Sequence, residues 1–203
     1  AGKAAALGLA TGSWVEVIDD ATGSDTHGTS TELLNRQTVR IAAVEAGTPD
    51  TITFDEPVRG TFTTANRARL VLLTTCPQFR FQGPGPAFPI RVIGTPPAAP
   101  ASRRHLIEVK YAISPEITGW FYEYVAADGS TRGTPIRDSN CYEPWVHHNG
   151  VVNPWPDFAG AFTGGDYYCA WSKGSTRPLY EHNDFVGGRH SLVIANAKGG
   201  TVR

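Results

Sequence analysis

Four segments of this chain open with proline and place an apolar or aromatic residue two positions later. They are Pro77-Gln78-Phe79-Arg80-Phe81, Pro115-Glu116-Ile117-Thr118-Gly119, Pro144-Trp145-Val146-His147-His148 and Pro178-Leu179-Tyr180-Glu181-His182. The prolines are 38, 29 and 34 residues apart, and a shorter fifth unit, Gly200-Thr201-Val202-Arg203, begins 22 residues after Pro178. Eight residues before each of the last four marks stands a small or apolar residue: Ile107, Ile136, Ala170 and Leu192. Proline is tolerated at the first residue of a strand, where its missing N–H need not join a ladder. The phrase therefore reads as strand, corner, strand, then a loop of variable length. A unit of about 22 residues is too small to bury a face alone, so such units must stack.

Composition agrees with many turns and short strands. There are 22 Gly and 15 Pro without a collagen period. Charged residues make up 18% and the net charge is −1, so no basic footprint points to nucleic acid or an anionic membrane. No apolar run approaches the length of a membrane span. Cys76, Cys141 and Cys169 lack CxxC spacing, which argues against both a disulfide framework and a zinc cluster. Cys141 and Cys169 fall on different sides of a stacked unit and are expected as free, buried thiols. The absence of methionine, and a strand-like pattern still running at Thr201-Val202-Arg203, fit a processed or partial piece of a longer chain.

The first part of the sequence has a different texture. Short strands are expected at Trp14 to Ile18, Thr38 to Val44, Thr51 to Phe54 and Ala68 to Leu73, punctuated by Asp19-Asp20, Gly47 to Asp50 and Glu56-Pro57. Residues 21–37 carry only Leu33 and Leu34 as large aliphatics and are expected to form a mobile loop.

The runs Phe54-Asp55-Glu56-Pro57, Thr63-Thr64-Ala65-Asn66, Ala68 to Leu72 and Gly187 to Asn196 resemble the pectate-lyase-like right-handed parallel β-helix superfamily. That superfamily includes secreted polysaccharide lyases and hydrolases and phage tailspikes, and the resemblance covers about residues 54–203. The expected fold is all-β: right-handed parallel β-helix coils over 74–203, continuing beyond Arg203, preceded by a small β-rich module over 1–73.

Side chains alternate along a strand. Phe79, Ile117, Val146, Tyr180 and Val202, two residues after each mark, are expected to face inward as one column. By the same count His148 and His182 stack inside, either as an internal polar ladder or as a proton or metal site. Arg80, Glu116, Thr118, Trp145, His147 and Glu181 are expected to face outward on one flat sheet surface. There Trp145 could stack on a sugar ring, and His147 with Glu181 could serve as a general acid–base pair; a solvated face with cross-strand ion pairs is the plainer alternative. Further aromatics, Trp120-Phe121-Tyr122, Trp155 and Trp171, are placed in the insertions, and the Trp155 loop could cover Trp145. Arg189-His190 reads as corner packing.

The resulting expectation is an extracellular, cell-surface or virion protein of tailspike or fibre type. It would engage polysaccharide or cell-surface glycan and form a homo-oligomer such as a trimer, without nucleic acid or membrane. A polysaccharide lyase or glycoside hydrolase, or a purely architectural module, are the alternatives. No metal or other cofactor is expected: Ca2+ suits lyases of this fold, but the outward columns hold no adjacent acidic pair or cluster.

Overall fold

The structure is a computed structural model that describes residues 3–22, 34–74, 78–94, 106–126, 134–152, 168–187, 190–195 and 197–203. A short helix, α1 (Lys3–Ala6), precedes four antiparallel strands: β1 (Trp14–Thr22), β2 (Leu34–Glu45), β3 (Thr51–Phe54) and β4 (Arg69–Leu72). They lie in the order β3-β2-β1-β4. Val15 and Val17 alternate onto the face that carries Val39 and Ile41, and with Ala4 and Leu9 they make a small apolar core. The opposite face holds Glu16, buried and bridged to Arg36 at 3.4 Å. Burial raises the Glu16 carboxyl above its ordinary range, with Arg36 opposing that effect.

Two expectations about this region are corrected. Asp19-Asp20 is not a turn but lies within β1, where the register shifts between Ile18 and Thr22. Asp19 there accepts hydrogen bonds from the Ala21 and Thr63 backbone N–H groups, so its carboxylate is spent on an irregular strand. Residues 21–22 and 34–37 are strand rather than mobile loop. Gln37, fully buried, bonds the Pro57 carbonyl at 3.2 Å and the Arg59 N–H at 2.6 Å. The rest of the expected loop, 23–33, lies outside the described residues.

Among the described residues, every strand from Arg80 onward pairs in parallel. In chain order these are β5 (Arg80–Gln82), β6 (Ile90–Gly94), β7 (Ile107–Lys110), β8 (Glu116–Thr118), β9 (Phe121–Ala126), β10 (Ile136–Ser139), β11 (Trp145–His147), β12 (Gly150–Val152), β13 (Tyr168–Lys173), β14 (Leu179–Glu181), β15 (Asp184–Val186), β16 (His190–Ala195) and β17 (Thr201–Val202). Sheet I is β17-β14-β11-β8-β5, sheet II is β15-β12-β9-β6 and sheet III is β16-β13-β10-β7. The chain visits I, II and III in a fixed cyclic order, and each strand pairs with its counterpart one circuit later. The stretch 54–72 does not belong to this arrangement: Thr64–Asn66 is a 3₁₀ turn and β4 pairs antiparallel with β1.

The interior is built from columns set by alternation. Ile117, Val146, Tyr180 and Val202 are mutual partners in sheet I. Ile107, Ile136, Ala170 and Leu192 are partners in sheet III, as the spacing of eight implies. Tyr122, Val151 and Phe185 supply the column of sheet II. Ile117, Val146 and Tyr180 are sealed, whereas Val202, on an edge strand with a neighbour on one side only, is 59% exposed.

The first unit is offset by two residues from its expected place. Phe81, not Phe79, pairs with Ile117, and Arg80 pairs with Glu116. The residue equivalent to Pro115, Pro144 and Pro178 is Phe79, whose carbonyl accepts from Glu116 N as Pro115 accepts from Trp145 N. A left-handed residue precedes the mark each time: Gln78, Ser114, Glu143, Arg177 and Gly199. Pro77 itself lies outside the described residues. A second corner, after sheet III, repeats the left-handed conformation at Tyr111, Asn140 and Gly174. At Gly174 a Cβ would fall 2.5 Å from Asn140 Oδ1, so a larger residue there would have to displace the Asn140 side chain.

Two aromatics assigned to insertions are structural instead. Tyr122 is core, and Trp171 is a buried residue of β13. Trp155 and Arg189 lie outside the described residues. The same core encloses an acid that no sequence motif marks. Asp138, fully enclosed beside Cys141, receives the hydroxyls of Ser172, Ser175 and Tyr180. Alternation from Ile136 does place Asp138 inward, so the signal was present.

Candidate functional site

Sheet I presents two outward columns: Arg80, Glu116, Trp145, Leu179 and Thr201, and beside it Gln82, Thr118, His147 and Glu181. Three-residue strands permit only one inward residue each, so the flanking pair necessarily points out. All six residues singled out from the sequence meet on this face. Arg80 Nε lies 3.2 Å from Glu116 Oε1, and the same oxygen lies 2.9 Å from His147 Nε2. Thr118 Oγ1 approaches His147 Nδ1 at 3.4 Å. The Trp145 ring stacks on His147, centroids 3.8 Å apart and planes 23° apart. Trp145 donates its indole N–H to Glu181 at 2.8 Å, and Glu181 lies 4.0 Å from Arg203.

The expected His147–Glu181 pair is therefore not formed. His147 is bonded to Glu116 on one side, and Glu181 is bonded to Trp145. His147 points outward yet its side chain is only 8% exposed, because Trp145, Glu116 and His148 cover it. Trp145 itself remains 39% exposed. A groove of about 510 Å³ runs beside it, bounded by Phe79, Arg80, Glu116, Glu143 and Arg177. A larger, mainly apolar groove of about 940 Å³ lies away from sheet I, between α1 and β4.

His148 and His182 do stack, with ring centroids 5.3 Å apart, but outside rather than inside. Both adopt a left-handed φ of 52°, which ends strand alternation and turns the side chain outward at the corner. The inward position passes to the next residue. Asn149 donates Nδ2 to the Ile117 and His147 carbonyls and accepts Trp120 N–H, each at 3.0 Å. Asn183 Oδ1 accepts from Asn149 N and shares the two Asn149 Nδ2 hydrogens with those carbonyls, and Asn183 donates to the Val146 carbonyl. This asparagine ladder is the internal polar stack that had been assigned to histidine.

Cys141 and Cys169 are free and buried. Burial pushes both thiols up to about 12, and for Cys141 the neighbouring Asp138 adds to it. Cys76 lies outside the described residues. Among the described residues no group of three or more His, Cys, Asp or Glu is placed to hold a metal ion, and no helix is long and apolar enough to cross a membrane. No protein-family model, curated protein or solved structure matches the chain significantly.

Proposed function

We propose that the chain is a surface protein of the tailspike or fibre kind, extracellular, on a cell surface or on a virion, which engages polysaccharide through the outer face of sheet I. We take the circuits through sheets I, II and III as coils of a right-handed parallel β-helix. In favour of that reading, each strand pairs in parallel with its counterpart one circuit on, and parallel crossover connections are right-handed in nearly all proteins. We extend the same reading to self-assembly as a homo-oligomer.

The observation that carries the binding reading is the state of Trp145. It is exposed at the centre of a five-stranded sheet, stacked on His147 and fixed through its indole N–H to Glu181. A fixed ring contributes contact area at little cost in side-chain entropy, and Arg80 and Glu116 beside it offer directed hydrogen bonds to hydroxyl groups. Affinity electrophoresis through gels containing alginate, polygalacturonate, dextran or xylan tests this. Retardation by at least one polymer, with its chain length unchanged, is the expected result. Shortening of a polymer would support a lyase or hydrolase, and free migration in all four gels would leave an architectural module.

A further inference from the structure

We propose that His147 and His148 form an acid-sensitive latch beneath Trp145; the inference rests on the binding reading of sheet I and concerns its regulation. The two Nδ1 atoms lie 2.7 Å apart. At that distance both cannot carry a hydrogen, so one must be a bare acceptor. His147 Nε2 lies 2.9 Å from Glu116 Oε1, and an ionised carboxylate only accepts. The His147 hydrogen therefore sits on Nε2, its Nδ1 is the acceptor, and His148 donates Nδ1–H.

This arrangement tolerates one additional proton, on His148 Nε2. A second, on His147 Nδ1, sets two N–H groups and two cations face to face, and the contact must open. The surrounding charges leave the Nδ1 contact itself uncompensated. Glu116 favours a cation at His147 Nε2, on the far side of the ring, and is shared with Arg80; Glu181 on β14 is committed to Trp145 and lies near Arg203, and His182 adds a third imidazole 5.3 Å from the His148 ring. Imidazoles are the side chains that gain charge between about pH 5 and 8. Because the Trp145 ring rests on His147, a shift of His147 as the contact opens removes the floor of the platform and weakens binding.

The test uses the full chain and the His148→Asn variant, since Asn accepts the left-handed corner conformation and gains no charge. On going from about pH 8 to about pH 5, the wild type should lose the Trp145 indole N–H NMR signal. In His148→Asn the indole signal should persist. Binding of whichever of alginate, polygalacturonate, dextran or xylan is retained at the higher pH should weaken about tenfold in the wild type and less than about twofold in the variant. An indole signal retained by the wild type at about pH 5, or an equal acid loss of binding in the variant, overturns the latch. Acid loss of the wild-type indole signal, prevented by His148→Asn, with no polymer bound at any pH would sink the binding reading and leave the latch standing.

Discussion

Val146 and Val202 occupy the same column of sheet I but opposite environments, one fully buried in β11 and the other 59% exposed on β17. Truncating each to alanine isolates what stacking contributes. For Val146 the transfer loss is about 1.6 kcal/mol for two methyl groups. A cavity on the order of 40 Å³, at about 24 cal/mol per Å³, adds about 1 kcal/mol. Little relaxation is available, because Ile117 and Tyr180 hold the site from both sides and belong to one close-packed cluster. Val146→Ala should therefore cost about 2.5 kcal/mol, and Val202→Ala less than about 0.5 kcal/mol. Equilibrium urea unfolding, followed by far-UV circular dichroism with the slope compared between variants, measures both. Equal costs for the two variants, or a Val146 penalty below about 1 kcal/mol, would refute the assignment of Val146 to the buried part of a shared inward column.

Asp138 gives a dependence on pH. Burial raises its carboxyl above the ordinary value of 3.8 despite three hydroxyl donors, so the folded chain holds the proton longer than the unfolded chain. Its contribution to stability is therefore largest in acid and is lost as pH rises from 3.8 through the folded value. Asp138→Asn should remove that decline, and a wild-type slope retained in the variant would contradict it. Cys141 and Cys169 should resist thiol reagents at neutral pH until urea is added, as mass-spectrometric mapping of labelled peptides would show. Asn149→Ala leaves the Trp120 N–H and two carbonyls without their partner and should cost about 3 kcal/mol, read from the shift in the urea midpoint.

Much of the parallel architecture was legible because it rests on spacing. The offset of eight from Ile107, Ile136, Ala170 and Leu192 to the following mark appears directly as strand register in sheet III. The outward set was legible for the same reason, since parity survives even the two-residue offset that moved Arg80 from Thr118 to Glu116. Parity failed where the backbone turns left-handed. At His148 and His182 the count of alternating residues was carried one step past the strand, which exchanged histidine for asparagine as the internal ladder. Proline was also a poor guide in the first unit: the corner geometry sits at Gln78 and Phe79, and the mark is defined by conformation rather than by residue type. In the antiparallel sheet, polarity misled. Asp19, Arg36 and Gln37 look like loop residues, yet each is buried with named partners because β1 and β2 lie in the middle of a four-stranded sheet.

The most direct test of the proposed binding face is Trp145→Ala, measured for polysaccharide affinity and thermal stability on the same preparation. Trp145 is outward and partly exposed, so removing its ring should leave the melting temperature within a few degrees of wild type, since a surface change of about 0.5 kcal/mol moves it little. Affinity for the retained polymer should fall at least about tenfold, or about 1.4 kcal/mol. Unchanged affinity, or a variant that unfolds without a separable binding defect, would contradict the account and leave sheet I as an architectural surface.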